Sequence, residues 1–166
     1  MYNRYHKERT IEENKTLVKK YPFLNPVHSI NHGSMFINSD LDEFSKHYDY
    51  SYTQLDDMPD GWNYSFGEQM CEEILQALIK NGIDPNDYVV QQVKEKYGTL
   101  RWYDYHGCED VDNIIDKYEE LSEQICQNCG KKKAKYMTTG WIGFFCEDCV
   151  QGIEGRDYKR LDEEEN

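Results

Sequence analysis

Residues 109–149 read EDVDNIIDKYEELSEQICQNCGKKKAKYMTTGWIGFFCEDC, and this stretch decides the fold of the C-terminal half. Val111, Ile114, Ile115, Tyr118, Leu121 and Ile125 recur at the spacing of a single helix face. Asp110 stands where a helix cap is expected. The helix runs straight into Cys126, so the cysteine-rich segment is fixed to the core and not tethered to it. Cys126-x2-Cys129 is separated by sixteen residues from Cys146-x2-Cys149, a spacing that suits a four-cysteine zinc site. Two sulfurs that flank two residues can turn toward one ion from a tight knuckle, and two knuckles complete a tetrahedron with Zn–S distances of about 2.3 Å. Gly130 lets the chain turn sharply after the first pair. Lys135–Thr139 and Trp141–Phe145 are expected to pair as a hairpin around Gly140, which makes the segment a zinc ribbon. Four thiolates close the coordination sphere, so the expected Zn2+ is structural and not catalytic. Cys71 reads as a small core residue on its helix and Cys108 as a loop thiol.

Upstream, residues 88–105 read as a β-hairpin, with Tyr88–Lys94 and Thr99–Tyr105 joined around Tyr97-Gly98. Strict alternation puts Val89, Val93, Leu100 and Trp102 on the core face. It puts Val90, Gln92, Lys94, Arg101 and Tyr103 on the other. Before the hairpin, Phe66, Met70, Ile74, Leu75, Leu78 and Ile79 repeat at helical spacing. Ser65 and Glu68 are placed as a capping box at the start, and Asn81-Gly82 as the stop. Residues 1–20 hold too few apolar side chains (Ile11, Leu17, Val18) to be buried firmly. Residues 21–60 show no period, with strand-like pieces at 34–38 and 48–53.

The expected fold is therefore small α+β: an irregular N-terminal segment (1–60), a helix–hairpin–helix core (61–125), a zinc ribbon (126–152) and an acidic tail (153–166), disordered from Asp162 onward.

The segment Gln91–Tyr103, QQVKEKYGTLRWY, together with Gly61-Trp62 and the Trp141 that precedes Cys146, resembles a pattern in small uncharacterised phage and prophage proteins. There such a hairpin precedes a helix and a paired CxxC ribbon. The resemblance covers residues 61–149. It implies an accessory protein working in a bacterial cytoplasm and carries no established activity across.

The chain has 166 residues and a net charge of −13. Its mean hydropathy is −0.93, which implies a modest core. Fourteen tyrosines supply apolar area with polar tips. The first twenty residues are polar and charged, so a secretory signal is not expected, and no stretch suits a bilayer. A cytoplasmic protein is expected, and in a reducing compartment paired CxxC motifs favour metal over disulfides. An acidic body disfavours phosphate backbones. It serves solubility, or meets a basic partner.

Several further groups are candidates. Lys94, Arg101 and Tyr103 share one face of the hairpin and could hold an anion such as a nucleotide phosphate, unless nearby carboxylates neutralise them. Lys131, Lys132 and Lys133 with Trp141 could touch nucleic acid, as lysine-flanked ribbons do, or could solubilise a loop while the aromatics pack under the metal. His28 and His32 are four apart, but Pro26 and Gly33 make a helix there doubtful. Asp56, Asp57 and Asp60 could hold a divalent cation for a metal-dependent hydrolase, or simply cap a turn. There is no HExxH, GxSxG or P-loop, and no catalytic constellation stands out. Non-enzymatic binding to a host protein, such as a defence or regulatory factor, is the expected function. Nucleic-acid or nucleotide binding is the alternative.

Overall fold

A computed structural model describes residues 8–28 and 38–162. Helix α1 (Ile11–Lys20) starts at a capping box in which the Thr10 hydroxyl accepts from the Glu13 N–H and the Glu13 carboxylate accepts from the Thr10 N–H. Its inner face buries Leu17 and Val18. A 3-10 turn (Pro22–Leu24) then drives Phe23 and Leu24 fully into the core. Helix α2 (Asn38–His47) is followed by an irregular stretch and a second 3-10 turn (Gln54–Asp57), capped by Thr53 and Asp56.

The next helix enters early. It begins as α3 (Asp60–Trp62), widens into a π-helical stretch (Asn63–Gly67) and continues as α4 (Glu68–Lys80). The expected Ser65/Glu68 capping box does not form. Ser65 lies inside the π-helical stretch, where its N–H does not need a cap. The far end is as expected: Gly82 takes φ +69°, and the N–H groups of Gly82 and Ile83 return to the carbonyls of Ile79 and Leu78.

Strands β1 (Val89–Lys96) and β2 (Thr99–Tyr105) form an antiparallel hairpin. Tyr97 and Gly98 both have positive φ (54° and 83°), the geometry of a two-residue turn whose twist matches the strands. The face assignment needs one correction. The register shifts between Val90 and Gln92, and this bulge reverses the parity of the strand before it. Val90 therefore joins the core with Val93, Leu100 and Trp102. Val89 is also buried, because the reverse side of this end of β1 is not open: the 3-10 turns pack against the strand, and the Gln54 amide donates to the Val90 carbonyl.

Helix α5 (Glu109–Ser122) lies across the hairpin and α4. Cys108 and not Asp110 occupies its N-cap, without a side-chain cap. Asp110 instead accepts from Lys80 and Asn81 across the helix pair. At the other end the Ser122 hydroxyl accepts from the Leu100 N–H, pinning α5 to β2.

One apolar core unites these elements. It holds Leu17, Val18, Tyr21, Phe23 and Leu24 from the first segment, Leu55 and Met58 before α3, and the inward faces of α4, the hairpin and α5. Leu17 and Val18, expected to be too few to bury the segment firmly, are thus part of the core. Residues 48–53 form no strand, and Tyr50 takes φ +62°. The expected strand at 34–38 falls mostly outside the described residues; Asn38 itself begins α2. His32 also lies outside them.

The ribbon carries β3 (Tyr136–Thr138), β4 (Phe144–Phe145), a one-turn helix α6 (Glu147–Val150) and β5 (Tyr158–Arg160). β4 and β5 flank β3, both antiparallel. The expected hairpin at Lys135–Phe145 forms in shortened form. The acidic tail is corrected in part: residues 158–160 are a strand, tied by the Thr139 N–H to the Asp157 carbonyl and the Leu161 N–H to the Lys135 carbonyl.

Candidate metal centre

The chain places Cys126 and Cys129 just beyond the C-terminal end of α5, Cys146 at the N-cap of α6 and Cys149 within its single turn. Their four sulfurs lie within 4.8 Å of one another. A tetrahedron with metal–sulfur bonds of about 2.3 Å has sulfurs ~3.8 Å apart, and Cys129 Sγ and Cys146 Sγ are 3.9 Å apart. A disulfide needs about 2.05 Å, and all six cysteines are free. The donor set thus fits one metal ion and does not form a bridge.

The surroundings favour thiolates held by a cation. Burial pushes the Cys126 thiol up, against backbone N–H groups of Cys129, Cys146 and Asn128 directed at it. Burial also pushes Cys149 well up, against the Asn128 side-chain amide, which donates to its sulfur at 3.4 Å. Burial opposes ionisation of Cys129 too, yet the Lys131 N–H and the neighbouring sulfurs hold it below the usual thiol range. A divalent cation resolves the conflict between burial and N–H donation, since a coordinating thiol is deprotonated outright. Such N–H to sulfur bonds orient the ligands. Beside the cysteines, the buried apolar side chains of this cluster are Phe145, Val150 and Ile153.

The ribbon is docked by backbone. The Gly61 N–H donates to the Gln127 carbonyl at 2.8 Å, and the Trp62 indole donates to the Ile125 carbonyl. A Cβ on Gly61 would stand 2.2 Å from the Cys126 carbonyl oxygen, and one on Gly130 1.9 Å from the Gly61 oxygen. Gly130 also has φ +62°. Two glycines sixty-nine positions apart therefore let the first knuckle touch the start of α3. Gln127 completes the joint: its side-chain oxygen accepts from the Phe144 N–H at 2.6 Å. A second joint sits at the hairpin turn, where Phe144 packs on Gly98. Gly130 carried a turn signal in the sequence and Gly61 was singled out only with Trp62; nothing local paired them.

Of the other candidates, Lys94 and Arg101 stand opposite one another across the hairpin. Arg101 donates to the Leu100 carbonyl and pairs with Glu119 at 3.3 Å. Burial raises the Glu119 carboxyl, against the pull of Arg101. Lys94 lies 5.2 Å from the centroid of the Tyr103 ring. Lys132 pairs with Asp148, Lys131 lies 5.8 Å from the Tyr64 ring, and Lys133 bridges Ile125 through its backbone. The aromatics divide: Phe145 packs beside the cysteines while Trp141 is 68% exposed. Asp56 is engaged with Thr53 and Arg9. Among the described residues the four cysteines are the one group of three or more His, Cys, Asp or Glu placed to hold a metal; Asp56, Asp57 and Asp60 do not converge. His28 turns its ring nitrogen to the Tyr88 carbonyl. Cys71 is fully buried in the core and Cys108 half-buried, as expected.

No helix among the described residues is long and apolar enough to cross a membrane. Comparison of the chain with family models, curated proteins and solved structures finds no match.

Proposed function

We propose that the chain is a binding protein scaffolded by one Zn2+, which acts by contacting another protein and not by catalysis. The observation that carries this reading is the closed set of four sulfurs, which leaves a tetrahedral ion no position for water or substrate. The metal then orders a segment with little core of its own and presents a rigid surface beside the hairpin. A net charge of −13 and exposed tyrosine and tryptophan side chains support a protein partner over a phosphate backbone. The pairing of Lys132 with Asp148 weakens the nucleic-acid alternative further. The resemblance of residues 61–149 to phage and prophage proteins suggests an accessory protein that engages a host factor in the bacterial cytoplasm.

The test joins metal analysis to affinity capture. Reduced, purified protein is expected to carry one zinc per chain. Used as bait in bacterial lysate divided into untreated and nuclease-treated halves, it is expected to retain from both a protein that a Cys126→Ser bait loses. Recovery of nucleic acid alone, or turnover of a substrate at a second metal, would overturn the reading.

A further inference from the structure

The ribbon loop leaves a tryptophan standing in solvent between two depressions. One, of about 380 Å3, lies between the Asp56–Asp60 turn and the ribbon. The other, of about 320 Å3, lies against the hairpin turn at Tyr97. Glu95, Trp141 and Ile142 line both, so the two form one groove divided by the indole. Each is of a size that takes one or two side chains, not a folded surface.

The loop that carries the indole is held in place. The Thr138 hydroxyl donates to the Trp141 carbonyl at 2.7 Å and the Thr138 N–H donates to the Gly143 carbonyl at 3.0 Å, which fixes the loop at its base. An exposed aromatic on a fixed loop loses little conformational freedom when it is covered. The rim is acidic. Asp57 and Asp60 come from the turn and Glu95 from β1; one Glu95 carboxylate oxygen also accepts from the Gly98 N–H. Burial and the neighbouring Asp56 raise the Asp57 carboxyl above its usual range. The molecule has already brought one cation to this place: the Arg156 guanidinium lies 6.0 Å from the Trp141 ring centroid, at the outer limit of cation–π attraction.

We propose that this groove receives an arginine side chain from an extended basic segment of the partner protein, with its guanidinium over Trp141 and against Asp57 and Glu95. The inference rests on the protein-binding reading above and names the place and chemistry of contact. The incoming guanidinium displaces Arg156, which acts as an internal placeholder. Charge complementarity selects this occupant, because the same rim repels a phosphate backbone.

The experiment measures fluorescence anisotropy of a fluorescein-labelled hexa-arginine peptide on the zinc-loaded chain, with a labelled single-stranded oligothymidine in parallel. Trp141→Ala and the pair Asp57→Asn/Glu95→Gln are each expected to weaken peptide binding about tenfold. Trp141→Phe should fall between wild type and Trp141→Ala. The charge-matched pair Asp112→Asn/Asp116→Asn, on the exposed face of α5, should change it less than about twofold. Arg156→Ala should tighten binding, and more than Lys159→Ala, which removes the same charge from β5. Zinc content and far-UV circular dichroism establish that each variant is folded. Equal losses from the groove and α5 pairs, no effect of Trp141→Ala, or no peptide binding at all would overturn the groove while leaving a protein partner on another face. Binding of the oligothymidine in place of the peptide would overturn both.

Discussion

The main core and the ribbon are held together by different physics. In the core, side chains from residue 17 to residue 118 share one apolar interior, and Trp62, Phe23, Leu24, Ile74 and Leu100 are wholly buried. At about 25 cal/mol per Å2 of apolar surface removed from water, such an interior sustains itself. The ribbon's interior is six residues, three of them the ligands Cys126, Cys129 and Cys146. Short strands and a one-turn helix cannot repay their ordering entropy from Phe145, Val150 and Ile153 alone. A metal ion supplies what apolar burial does not. The two parts still share a joint at Gly61, so failure of one is felt by the other.

Removing the metal should produce the largest effect. Structural zinc in small peptides contributes on the order of 10–16 kcal/mol at neutral pH. Chelation, or Cys126→Ser, is expected to expose residues 126–160 to protease while the helical signal of the core survives. A ribbon that stays protected after complete chelation would erase the contrast. Next comes Phe23→Ala, which empties a fully buried aromatic site and is expected to cost about 3–5 kcal/mol of core stability. Denaturant unfolding measures the loss, and zinc stoichiometry should stay at one per chain. The smallest of the three is Gly61→Ala. Its methyl must displace the Cys126 and Gln127 carbonyls, at a cost of about 1–3 kcal/mol. It sharpens the comparison because it should split a single unfolding transition into two, ribbon first. A single unshifted transition would show that the joint carries no coupling.

Much of the ribbon and two of the helices were legible because their signals are local. Cysteine spacing is a statement about one ion's geometry, and the stripe from Val111 to Leu121 is a statement about one helix face; the expectation that this helix runs through Ile125 into Cys126 is corrected, because it stops at Ser122 and Ile125 bridges Lys133 through its backbone. What failed had its cause elsewhere in the chain. The bulge between Val90 and Gln92 is invisible to an alternation rule, although two adjacent valines hinted that both faces of β1 are covered. The covering comes from the 3-10 turns at Pro22–Leu24 and Gln54–Asp57, far away in sequence. Leu17 and Val18 are too few only while α1 is considered alone; beside Phe23 and Leu24 they are one edge of a larger interior. The Thr10–Glu13 capping box, which the sequence reading passed over, marks where α1 begins. Strand β5 was obscured by its composition, since Tyr158, Lys159 and Arg160 are all exposed and pair with β3 through backbone and the edge contact of the Tyr158 ring with Tyr136. Arg101 shows the same limit for sites: its partner Glu119 comes from α5, and only the fold brings them together.

The seat at Gly61 has a consequence for the order of events during synthesis. A ribosome adding roughly 5–20 residues per second releases the glycine, the hairpin and α5 before the final sulfur ligand emerges. The receiving surface can therefore be assembled first, and ion capture becomes a late locking step on a prepared platform. A nascent chain starved of the metal would stall with its platform built and its clasp open.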